Sequence, residues 1–157
     1  MRRIADALSG LALTLWVGGL WSIGYLVAPT LFATLADRQL AGAIAGKLFQ
    51  LIGWIGFGCA AYLILHALMR QGAQALRRWS FWLLVLMVVL ALIGQFGVQP
   101  VIAQLKAESA SRAALEGAAD MVLKDRFATW HGIASVLYLV QSLLGAALVV
   151  VSGRQGR

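Results

Sequence analysis

The chain has 157 residues, 61% hydrophobic and 12% charged, with a net charge of +7, one cysteine and a mean hydropathy of +0.84. Water-soluble domains average roughly 45–50% apolar and about 25% charged residues, so this composition excludes a soluble globule. The basic excess sits in short clusters between apolar runs, as at an anionic lipid surface rather than on nucleic acid, and a lone Cys59 excludes an internal disulfide or a CxxC metal motif.

Four stretches contain no Asp, Glu, Lys or Arg: Ala7 to Ala36, Leu48 to Met69, Trp79 to Leu105 and Phe127 to Gly153. Each exceeds the ~20 residues that cross a hydrocarbon layer of about 30 Å. Lipid offers no hydrogen-bonding partner, so each must satisfy its own backbone as a helix. The run SFWLLVLMVVLALIG does not alternate as a barrel strand would. The expectation is an all-α membrane protein, one four-helix transmembrane bundle over residues 1–157 with spans near 8–32, 48–69, 80–102 and 130–151.

The first span opens after Arg2 and Arg3 and resembles a signal peptide only at its start. Its apolar run outlasts a ~7–15-residue signal core, and the first small-residue site, after Ala28, precedes Pro29. Gly10, Thr14, Gly18 and Ser22 recur every four residues, a small-residue face that another helix can approach within the chain or between chains. Gly42 and Gly46 form a GxxxG at the start of the second helix, and Gly53, Gly56 and Ala60 continue small-residue contact.

The third span ends with Gln95 and Gln99 on one helix face. Lys106 to Arg126 form the one long polar connection, where Leu115, Ala119, Val122 and Leu123 fall at helical spacing and predict a short amphipathic helix between the third and fourth spans. The fourth span opens on Trp130 and His131 and carries Tyr138 and Gln141 deeper in.

Seven basic residues lie on the side of the termini and the second loop, six on the other, yet of the six acidic residues only Asp6 is on the first side. With the Arg77–Arg78 cluster next to Trp79, this favours a bacterial inner membrane protein with both termini inside.

Tyr25, Thr30, Gln50, Gln95, Gln99, Trp130 and His131 then fall toward the outer leaflet and could share an outward polar pocket. Alternatively, the glutamines bond across helices and His131 caps its helix at the water boundary. His66 lies near the inner end of the second span, so it and His131 differ in depth by roughly 20–30 Å and cannot ligate one haem together. No acidic residue lies in a span, and no HExxH, GxSxG or phosphate loop occurs. No catalytic, cofactor-binding or metal-binding residue is assigned.

The run GYLVAPTLFATLADRQLAGAIAGKLF resembles the signature of the DUF4149 or TMEM205-like small membrane proteins, through Ala28, Pro29, Leu31, Phe32, Asp37, Arg38, Ala41, Gly42, Leu48 and Phe49. A second, shorter likeness lies in FATWHGIASVLYL, at Phe127, His131, Gly132 and Ser135. The chain departs from relatives at Gln50, where Pro often follows Leu-Phe, and at Tyr138 and Val140, where Asn is often found. The resemblance implies a four-span membrane protein and no particular reaction.

The first functional expectation is a non-enzymatic structural or interaction component, in contact with lipid and with a second copy or another membrane protein. The alternative is binding or transport of a small molecule or lipid through the outward pocket. A haem- or redox-linked protein is a second alternative.

Overall fold

The computed structural model describes residues 2–112 and 118–155, with side chains over 3–108 and 122–153. Among the described residues there is no strand. The first span is α1 (Arg2–Trp21), a π-helical segment (Ser22–Val27) and α2 (Ala28–Thr34). A short turn leads to α3 (Arg38–Gln71), a 3-10 segment (Gly72–Arg77) and α4 (Trp79–Leu92). A second π-helical segment (Ile93–Val98) joins α4 to α5 (Gln99–Arg112), and α6 (Ala118–Gln155) completes the bundle.

Four helical segments are long and apolar enough to cross a membrane: Arg3–Thr34, Arg38–Arg77, Trp79–Glu108 and Val122–Gly153. Neighbours in sequence are neighbours in space, and the fourth span closes the ring against α1. Large apolar side chains such as Leu11, Leu15, Trp54, Leu65, Val136 and Leu143 face outward. Lipid tails solvate such a surface, so only small or shape-matched residues need to point inward.

The boundaries have local causes. Asp37 caps α3, its Oδ1 accepting from the backbone N–H of Gln39 at 2.8 Å and of Leu40 at 3.2 Å. The helix runs unbroken through Gln50, where relatives often carry proline. It ends at Gly72, whose φ of 53° lies in the left-handed region that glycine adopts without penalty. Both π-helical segments stop just ahead of a proline. Ala28 N–H donates to the Ile23 carbonyl and Gln99 N–H to the Gly94 carbonyl, each one residue farther back than an α-helix requires. Pro29 and Pro100 follow directly, lack an N–H, and would press their rings on the carbonyl four residues back; widening the preceding turn relieves that clash.

The core lies toward the end that holds the N-terminus. Trp16 and Met87 are buried to 1% and 0% exposure, with Leu20, Ile52, Leu83, Leu84 and Leu148 around them. Glycines make the notches. A Cβ at Gly56 would lie 2.3 Å from Trp16 Nε1, one at Gly19 2.3 Å from Ile52 Cδ1, and one at Gly145 3.1 Å from Val17.

The small-residue face of the first span lies on the outside of the bundle and meets no helix of the same chain, which leaves contact between chains as its open use. Gly10, Thr14, Gly18 and Ser22 are all exposed, and neither Gly10 nor Gly18 has a neighbour within 4 Å of a Cβ placed on it. The helix is turned so that Trp16, Val17 and Leu20 point inward, because the Trp16 indole finds its complement at Gly56. Gly46 also meets no helix backbone; the side chain nearest a Cβ there is Lys106 Nζ, at 3.8 Å.

Between the third and fourth spans, α5 continues the third span to Arg112 and α6 begins at Ala118. Among the described residues no separate helix stands between them; Leu115 lies outside the described residues, as does the side chain of Ala119. Val122 is exposed and Leu123 buried, so the apolar spacing seen there belongs to the start of α6.

Candidate functional site

The two ends of the bundle differ in chemistry. At the N-terminal end, Asp6 accepts from His66 Nε2 at 3.2 Å and from Arg70 at 3.4 Å, and the Tyr62 hydroxyl donates to the Ala5 carbonyl at 3.1 Å. These contacts tie the start of α1 to the end of α3. His66 is thus engaged at the far end of α3 from Gly42.

At the other end all four spans line an open cavity of about 1020 Å³. Drug-sized ligands occupy pockets of roughly 300–1,000 Å³, so this one is at the top of that range. Its walls are mostly apolar, including Leu20, Ile52, Leu90, Ile102 and Leu137. Trp16 lines it at the boundary with the core, and Phe32, Arg38, Gln39, Gly42 and Lys106 line it toward the α2–α3 turn. From Gly42 to Ile52 along α3 is roughly 15 Å at 1.5 Å per residue.

Of the residues expected to form a polar pocket, Tyr25, Gln95, Gln99 and His131 line this one cavity. Gln50 lines a smaller adjoining hollow of about 390 Å³, together with Lys47, Gln95, Gln99 and Lys106. Thr30 and Trp130 line neither. Thr30 is exposed and its hydroxyl donates back to the Leu26 carbonyl at 2.6 Å, a local bond available to any helical threonine. His131 stacks on Phe127 with ring centroids 5.8 Å apart, and Ser135 Oγ donates to the His131 carbonyl at 2.9 Å.

The π-helical segments supply two of the polar groups. Gly24 and Tyr25 come from the first and Gln95 from the second. The Tyr138 hydroxyl donates to the Leu20 carbonyl at 2.5 Å, so it enters the helical ladder just ahead of the first π-helical turn. Only glycine fits at position 24: a Cβ there would stand 2.2 Å from Tyr138 Cε1. The Gln95 side chain lies close over Gly53, where a Cβ would stand 2.6 Å from its oxygen. Tyr25, Phe49 and Tyr138 pack edge to face, with centroids of 6.3 Å for Tyr25–Tyr138 and 5.0 Å for Phe49–Tyr138.

Lys106 is the cavity residue that the sequence hides. It follows the third uncharged stretch and reads as a loop charge, yet α5 carries it on past the apolar run. Gln95, Gln99, Ile102 and Lys106 recur at helical spacing, a signal visible once the helix is known to extend that far. Its ammonium is half-buried and donates to the Gly42 carbonyl at 3.0 Å. Ala28, Pro29, Phe32, Arg38, Gly42 and Phe49 of the first motif also line the cavity, as do Phe127, His131 and Ser135 of the second, whereas Asp37 acts as a cap and Gly132 is exposed.

The profile of a family described as a domain of unknown function (DUF4149) matches residues 11–111, well over half of the chain. That stretch runs from α1 into α5 and contains the first motif and three of the four cavity walls; the likeness around His131 lies outside it. Comparisons with curated proteins and with solved structures find no match. The chain belongs to the DUF4149 family and is a multi-pass membrane protein in architecture.

Proposed function

We propose that this DUF4149 protein binds a lipid-like small molecule, for storage or transfer, in the cavity between its four spans. The observation that carries the reading is the cavity itself: large, mainly apolar, with polar groups that include Arg38, Gln39, Gln95, Gln99, Lys106, His131 and Gln141. A bundle built only to hold its own helices together would be expected to close over such a volume, as the Trp16 half does, because interiors pack with few voids.

In this reading the protein sits in a bacterial inner membrane with both termini inside, an orientation the basic-residue pattern favours, and the cavity end then faces outward. In this reading the protein performs no bond chemistry.

Native mass spectrometry of protein released from a neutral detergent tests the reading. The expected result is a co-purifying lipid-like mass on the wild type that Gly46→Phe removes, since position 46 opens toward the cavity. A wild-type protein that carries nothing and takes up no added acyl compound would sink it.

A second reading, an interaction component, draws on the outward Gly10–Thr14–Gly18–Ser22 face, which lets another helix approach closely. Gly18→Leu should then abolish a dimer or complex seen in mild detergent while leaving the monomer folded. A wild type that is strictly monomeric and free of other proteins removes this reading.

A further inference from the structure

We infer that the cavity selects single-chain amphiphiles with an anionic head, a carboxylate or a phosphate monoester, and that Lys106 is the residue that reads the head. This deepens the ligand-binding reading above and rests on it.

The first argument is charge. Among the described residues that line the cavity and the adjoining hollow, Arg38, Lys47 and Lys106 are basic and none is Asp or Glu. A cationic head would meet no fixed counter-charge there. The second argument is direction. A lysine near a helix end in a membrane normally extends its amine to water. Lys106 instead turns its amine between α5 and α3, onto the Gly42 carbonyl, and lines both hollows. One carbonyl takes one of an ammonium's three donors, and an anion is the partner that an ammonium in weakly polar surroundings holds best.

The third argument is space. Gly42 and Gly46 have no side chains, and a Cβ at either would have Lys106 Nζ as its nearest neighbour, at 3.6 and 3.8 Å. Both distances are ordinary van der Waals contacts, so the GxxxG pair lines the space directly beside the amine without bulk of its own. From there the cavity runs past apolar walls toward Trp16, the direction an acyl chain would take. Arg38, at the α2–α3 turn, adds a second positive charge on the head side.

The test uses the full chain in a neutral detergent and native mass spectrometry with three probes that share an oleoyl chain: oleate, 1-oleoyl lysophosphatidate and 1-oleoylglycerol. The wild type is expected to retain either anion about tenfold in preference to the neutral glyceride, the factor that one charge-assisted hydrogen bond supplies. Lys106→Gln should bring that preference to within about twofold, and Lys106→Arg should keep it. Retained glyceride shows that the Gln variant is folded. If the wild type holds all three alike, or Lys106→Gln keeps the anion preference, the assignment of the head is overturned while the cavity reading stands. If the wild type holds none of the three, the cavity reading fails and takes this inference with it.

Discussion

The two halves of the bundle use the same four spans to opposite ends. In the half near the N-terminus, Trp16, Val17 and Ile52 fill notches at Gly56, Gly145 and Gly19, and the helices close on one another. In the other half the first and third spans each pass through a π-helical turn ahead of a proline, and the four spans leave a cavity of about 1020 Å³. Glycine against a bulky side chain draws helices together. Proline after a widened turn breaks the regular face of its helix and lets side chains of the turn, here Tyr25 and Gln95, reach the space so left. The difference shows how one bundle of four spans can be a packed plug at one end and a receptacle at the other.

The contrast can be broken most directly in the plug. Trp16→Ala removes the largest side chain of the packed half and should cost about 3–5 kcal/mol, seen as a large fall in the thermal midpoint of the detergent-solubilised protein. A fall as small as that of a lipid-facing substitution would mean that the two halves are not packed differently. At the junction, Gly24→Ala drives a methyl into the Tyr138 ring and should cost roughly 1–3 kcal/mol. It should also lower retention of a bound amphiphile, because Tyr138 lines the cavity; Tyr138→Phe, which keeps the ring and loses the bond to Leu20, should cost less. The smallest effect belongs to the exposed tie at the N-terminal end. Asp6→Asn weakens the contacts to His66 and Arg70 and should change stability by less than about 1 kcal/mol, since such exposed ion pairs contribute little. A larger loss would show that this end is held by charge as well as by shape.

Some of the site could be read from residue types alone. Glutamines and a histidine are costly in a lipid-facing position, so Gln95, Gln99 and His131 announce an inward or end-lying group, and all three line the cavity. Thr30 carried no such signal, because a helical threonine satisfies its hydroxyl on its own backbone, as it does here on Leu26. Gln50 and Trp130 lie near the starts of uncharged stretches, where the water boundary is expected, although α3 and α6 begin well before them; their residue types alone do not decide which way they face. Lys106 was missed because charge marks the end of an apolar run but does not mark the end of a helix.

The number of spans, their helical state and the clustering of basic residues at their ends follow from the sequence by itself. Each span must satisfy its backbone within its own residues, so local composition decides it. Which face of each span turns inward was decided only in the tertiary structure. Lipid accepts any apolar side chain, so composition leaves the rotation of a helix about its axis open; the fit of Trp16 into Gly56 and of Tyr138 against Gly24 closes it. That rotation sends the regular small-residue stripe of α1 outward and leaves room for Lys106 beside Gly42.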